Sequence, residues 1–106
     1  MVSRHDSGPS PAQAVYAISV AAELAGIGVQ TLRLYEQHGL LMPARSAGGT
    51  RRYSGDDLTR LHRITTLTGE GMNLTAVARI LELEDTVARL RAERDRLRAK
   101  PKQAPT

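Results

Sequence analysis

Apolar residues recur at helical spacing in most of this chain, and one stretch in the middle breaks the pattern. "YAISVAAELAGIG" opens the periodic region. Ser19 offers an N-cap, Val20, Leu24 and Ala25 share one helical face, and Gly26 supplies a stop. "VQTLRLYEQHG" follows at once. Val29, Leu32 and either Leu34 or Tyr35 give the apolar side of a second short helix, which Gly39 ends. Two such helices joined across a glycine-containing link predict a helix-turn-helix.

The pattern breaks at "LLMPARSAGGTRRYS". Pro43 opposes helix, and "SAGG" is turn chemistry in which Gly48 and Gly49 can take positive φ. Leu40 to Arg45 and Thr50 to Tyr53 then predict two antiparallel strands, a β-hairpin in the position of a wing. Ser54 opens the next helix, "GDDLTRLHRITTLT". Asp57 completes a capping box, and Asp56 and Asp57 favour the positive helix end. Leu58, Leu61, Ile64 and Leu67 or Thr68 form its buried stripe, and Gly69 and Gly71 end it. Asn73 caps a fourth helix with Leu74, Val77, Ile80 and Leu81 facing inward.

Beyond it, Ile80, Leu83, Val87, Leu90 and Leu97 are spaced 3, 4, 3 and 7, with Arg94 at the skipped position. That is an a/d heptad pattern and predicts a dimerisation helix. A leucine ladder on a solvated tail helix is the alternative. Residues 1–14 and 101–106 lack periodicity and are rich in Pro, Ser or Gly, as in disordered segments. The expected organisation is a leader over 1–14, a winged helix-turn-helix over 15–83, a dimerisation helix over 84–100 and a tail over 101–106. The fold class is mainly α: four short helices with a β-hairpin wing, then a coiled-coil helix.

Composition narrows the chemistry. The 106 residues include no Cys, Phe or Trp, so the core rests on Leu, Ile, Val and Ala. Without cysteine there is no disulfide, thiolate metal site or thiol redox centre. His5, His38 and His62 lack ligand spacing, and no metal or other cofactor is expected. No phosphate loop or nucleophile–base pair suggests an enzyme, and no apolar run reaches the length of a membrane span. The formal net charge of +4 points to an anionic partner, with nucleic acid first.

The charge is concentrated where the wing is expected. Between Gly28 and Arg63 stand Arg33, Arg45, Arg51, Arg52, Arg60 and Arg63, against Glu36, Asp56 and Asp57. In a helix-turn-helix the second helix places its N-terminal side chains at base edges. Here these are Gln30, Thr31 and Arg33; Gln can pair with adenine and Arg with guanine, or either can hold phosphate. Tyr35 offers a ring to pack and a hydroxyl to donate. Arg51 and Arg52 alternate across the strand, so one is expected to reach the DNA and the other to brace the wing. Tyr53 would close the hairpin with its hydroxyl free for a phosphate. The candidate DNA-binding set is Gln30, Thr31, Arg33, Tyr35, Arg45, Arg51, Arg52 and Tyr53.

Residues 16 to 83 resemble the MerR family of bacterial transcription regulators. "TLRLYEQHGLL", "PAR" and "RRYSGDDLTRLHRI" carry the likeness. The resemblance implies a winged helix-turn-helix and a long helix that pairs antiparallel with a second subunit. It assigns DNA contacts to Arg33, Tyr35, Arg52 and Tyr53, with Gln30 and Thr31 nearby. "ISVAAELAG", "SAGGTRRYS" and "GEGMNLTAVARILELE" are most similar to the HspR heat-shock repressor branch. Leu34 in place of the first of two tyrosines, and Gly48-Gly49 in place of Asn-Gly, point the same way. This branch implies a cytoplasmic, nucleoid-associated homodimeric repressor of chaperone and stress genes, acting on inverted repeats. The DnaK chaperone is the implied candidate co-repressor. The branch's longer basic and aromatic tail has no counterpart before Thr106, which weighs against chaperone coupling, and no length is seen for a separate effector domain. Two other readings remain open. One is a MerR-like developmental or architectural regulator binding direct repeats head-to-tail. The other is a helical protein-interaction adaptor whose arginines are surface charge.

Overall fold

The computed structural model describes residues 10–99. Strand β1 (Ala14–Tyr16) leads into helix α1 (Ile18–Ala25), and α2 (Val29–Gln37) follows after a short turn. The wing is β2 (Ala44–Arg45) and β3 (Arg51–Ser54), and helices α3 (Gly55–Gly69) and α4 (Leu74–Ala99) complete the chain. The fold is mainly helical with a small antiparallel sheet, as the periodicity predicts.

Helix α1 departs from expectation at both its cap and its face. Ala17 holds the extended N-cap position without a side-chain bond, and Ser19 lies inside the first turn. Ala21 and Ala22 are buried, whereas Val20 and Leu24 are exposed, Leu24 by 61%. The helix is apolar nearly all round, so periodicity could not choose its inner face. Packing chose the alanines, whose small side chains let α1 approach α3 closely. The predicted stop holds: Gly26 takes φ +72, and the Gly26 and Ile27 amides close on the Glu23 and Ala22 carbonyls.

The sheet has three strands, in the order β1-β3-β2, all antiparallel to β3. β1 was not expected. Its Ala14 and Tyr16 pair with Ser54 and Tyr53 across an irregular step. Residues 10–14, assigned to a disordered leader, thus belong in part to the domain: the Asp56 amide also donates to the Pro11 carbonyl at 3.0 Å. The rest of that leader, residues 1–9, and the 100–106 end lie outside the described residues. β2 is shorter than predicted, because Leu40 and Leu41 turn into the core instead of extending a strand.

Ser54 and Asp57 make the predicted capping box of α3, at 3.0 and 2.8 Å. Leu61, Ile64 and Leu67 then face the core with Leu32, Tyr35, Tyr53, Val77 and Leu81. The Asn73 carboxamide accepts from the Ala76 amide at 2.8 Å at the head of α4. Only the first two turns of α4 pack against the core; the helix then runs on unbroken through the segment expected to dimerise.

Candidate nucleic-acid interface

The buried side of α2 consists of Leu32 and Tyr35, which fixes the opposite side as the outward one. At 100° per residue that side carries Gln30, Arg33, Leu34 and Gln37, all exposed. Thr31 lies half-buried at its edge. Tyr35 is 5% exposed and belongs to the buried core cluster, so it leaves the set of outward candidates.

The wing is locked to this helix through Glu36. Its carboxylate accepts from Arg51 Nε at 2.6 Å and from the Tyr53 hydroxyl. The expectation that Tyr53 keeps a free hydroxyl fails. Tyr53 is 0% exposed, and its phenol is committed within the protein. Burial and the bond to Glu36 together push its pKa well above the ordinary phenol value. The hydrogen bond to Glu36 likewise raises Arg51. Arg51 is therefore the brace and Arg52 the residue turned the other way, as strand alternation requires. The Arg52 side chain donates to the neighbouring Arg51 carbonyl, at 3.2 Å, and to no other group among the described residues.

The hairpin tip is closed by Ser46, whose amide and carbonyl bond Thr50 and Gly49 at 2.8 Å. Gly49 alone of the glycine pair has positive φ, at +85°. Arg45 reaches across this turn to the Gly49 carbonyl at 3.3 Å and remains exposed. Arg33, Arg45 and Arg52 form no ion pair among the described residues. Arg33 stands on α2, Arg45 on β2 beside the turn, and Arg52 on β3.

Two other arginines counted in the basic region are drawn elsewhere. Arg60 donates from Nε to the Leu40 carbonyl at 2.7 Å and from Nη1 to Asp85 at 3.2 Å. Arg63 pairs with Glu84 at 2.5 Å, a bond that lowers the Glu84 pKa. Both acidic partners belong to α4, so these charges join helices and add little to the outward field. Glu36, Glu84 and Asp85 were not singled out from the sequence. For Glu36 a signal existed: a carboxylate one turn after buried Leu32, among arginines, has a partner nearby.

A lone helix-turn-helix is common to many proteins; a recognition helix tied to a wing and followed by a long helix is more particular. The model of the MerR HTH family of regulatory proteins matches residues 16–84. The chain belongs to that family. It is 49% identical over 86 residues to the putative heat shock protein HspR of Streptomyces coelicolor, covering 80% of this chain and 57% of that protein. It is 42% identical over 73 residues to a probable heavy metal-dependent transcriptional regulator of Haemophilus influenzae, covering 68% and 57%. The chain thus spans little more than half the length of these curated relatives. Among solved structures, a lead(II)-bound transcription regulator of Ralstonia metallidurans aligns with TM-score 0.63 and 32% identity, over 80% of this chain and 79% of that one. HiNmlR, a MerR family regulator lacking the sensor domain and bound to promoter DNA, aligns with TM-score 0.61 and 29% identity, over 80% and 71%. These MerR relatives are regulators, not enzymes.

Proposed function

We propose that this chain is a sequence-specific DNA-binding transcription regulator, a dimeric repressor of HspR type acting on an inverted-repeat operator of chaperone or stress genes. The observation that carries the reading is the Glu36 lock. It ties α2 to the wing and leaves Arg33, Arg45 and Gln30 exposed, with half-buried Thr31 and Arg52 beside them. Base-edge contacts would come from Gln30, Thr31 and Arg33 in the major groove, and backbone contacts from Arg45 and Arg52. The likeness to a protein named HspR supports the repressor and stress assignment. The likeness to a regulator bound to promoter DNA supports the partner.

Dimerisation draws support from α4. Leu83, Val87, Leu90 and Leu97 are exposed along one seam, which a second α4 would cover. Head-to-tail monomers would leave that seam uncovered. Selection of bound duplexes from random DNA tests the reading. An inverted repeat with one fixed half-site spacing is the expected result; direct repeats, or no enrichment, would refute it. DnaK as co-repressor belongs to the same reading, and purified DnaK should then tighten operator binding in a shift assay.

A further inference from the structure

The outward face of α2 holds one residue that polar recognition does not explain. Leu34 is 42% exposed, yet it lies on the same side as Gln30, Arg33 and Gln37. A single exposed leucine on a protein surface is ordinary. This one stands on the face that would enter the major groove, so DNA binding would strip its water whatever it met. Opposite a base edge presenting only donors and acceptors, it would leave those groups unpaired, at a cost. The one apolar group that base pairs present in the major groove is the C5-methyl of thymine. Gln30 lies one turn earlier, about 6 Å along the helix axis, and Arg33 directly adjoins. Leu34 is thus placed to meet a base pair next to those its polar neighbours contact.

We infer that Leu34 is a specificity-determining residue that selects thymine in each half-site by packing on its C5-methyl. The inference rests on the DNA-binding reading above and adds a named base feature to it. Leu34 makes no side-chain hydrogen bond and is not part of the core, so replacing it leaves the fold intact. Replacing thymine by deoxyuridine removes the methyl and leaves every hydrogen-bonding group unchanged.

The experiment takes the duplex preferred in selection and substitutes deoxyuridine for thymine one position at a time. The parent protein, Leu34→Ala and Leu34→Gln are compared, with circular dichroism to confirm folding. The parent should lose about four-fold in affinity at one thymine per half-site, the effect of one buried methyl. Both variants should bind the thymine and deoxyuridine duplexes equally at that position. If the parent is insensitive at every thymine while still binding its selected site, the inference fails and the DNA-binding reading stands. The same holds if the variants keep the parent's sensitivity. If the parent selects no sequence at all, both fall together.

Discussion

At Glu36 one carboxylate receives a guanidinium and a buried phenol from the wing, so its loss would be felt twice. Glu36→Ala leaves the Tyr53 hydroxyl buried without a partner, which costs about 1–3 kcal/mol. The melting temperature should fall by several degrees, since 1 kcal/mol corresponds to about 4–8 °C in a domain of this size. A second change, Tyr53→Phe, should recover part of the loss, and thermal denaturation of the single and double variants measures it. Because burial and Glu36 hold the Tyr53 pKa above its ordinary value, the phenol stays protonated and donating throughout the neutral range. Arg33 and Arg52 should separate by role. Arg33→Ala is expected to lose about 1–3 kcal/mol on the preferred duplex and relax one position per half-site. Arg52→Ala should weaken all sequences alike and lower the salt slope by about one. Salt titrations on specific and random duplexes read both. The sequence showed that Arg51 and Arg52 point opposite ways, but the choice between them depended on a carboxylate on another element.

Among the elements, α4 runs furthest beyond the core that it helps to build. Its 26 residues extend about 39 Å. Its first turns belong to the core, and its remaining apolar positions are exposed. Val87→Asp with Leu90→Asp should place charge in the seam and abolish tight binding to a full inverted repeat, because linkage of two half-sites is lost. Binding to a half-site and the circular dichroism signal should change little. Full-site affinity equal to the parent would remove α4 from the dimer interface. The junction between α3 and α4 carries a pH signature. Arg63 lowers the Glu84 pKa, so the pair's contribution is present above the ordinary carboxylate range and is lost as pH falls through the depressed value. Both side chains are over 40% exposed, so screening keeps the effect small. Glu84→Gln should therefore flatten the acid side of the stability–pH curve while leaving DNA affinity at neutral pH nearly unchanged. The heptad spacing was legible because a period is a property of the sequence. The Arg60 and Arg63 pairs were not, since their partners lie more than twenty residues away.

For the whole molecule, the small core is shared by the helix-turn-helix, the wing and the root of α4. Leu61, fully buried on α3, is part of that shared core. Leu61→Ala should cost about 2–5 kcal/mol through lost burial and a residual cavity. Chemical denaturation should show one cooperative transition moved to lower denaturant, with the signals of wing and helices moving together. Separate transitions would mean that the wing is an independent unit.

Local rules settled much of this protein from sequence alone. The α2, α3 and α4 helices, the capping box, the Gly26 stop and the turn before Arg51 follow from spacing, side-chain capping and permissive φ. Each of these involves residues close together in the chain. Tertiary structure decided the inner face of α1, the third strand β1, the burial of Tyr35 and Tyr53, and the sorting of arginines into outward and internal ones. Those outcomes depend on which distant surface arrives to be covered or paired. A nearly all-apolar helix has several equivalent faces until α3 packs against one of them. An arginine is a free cation in sequence until the fold brings, or does not bring, a carboxylate within reach.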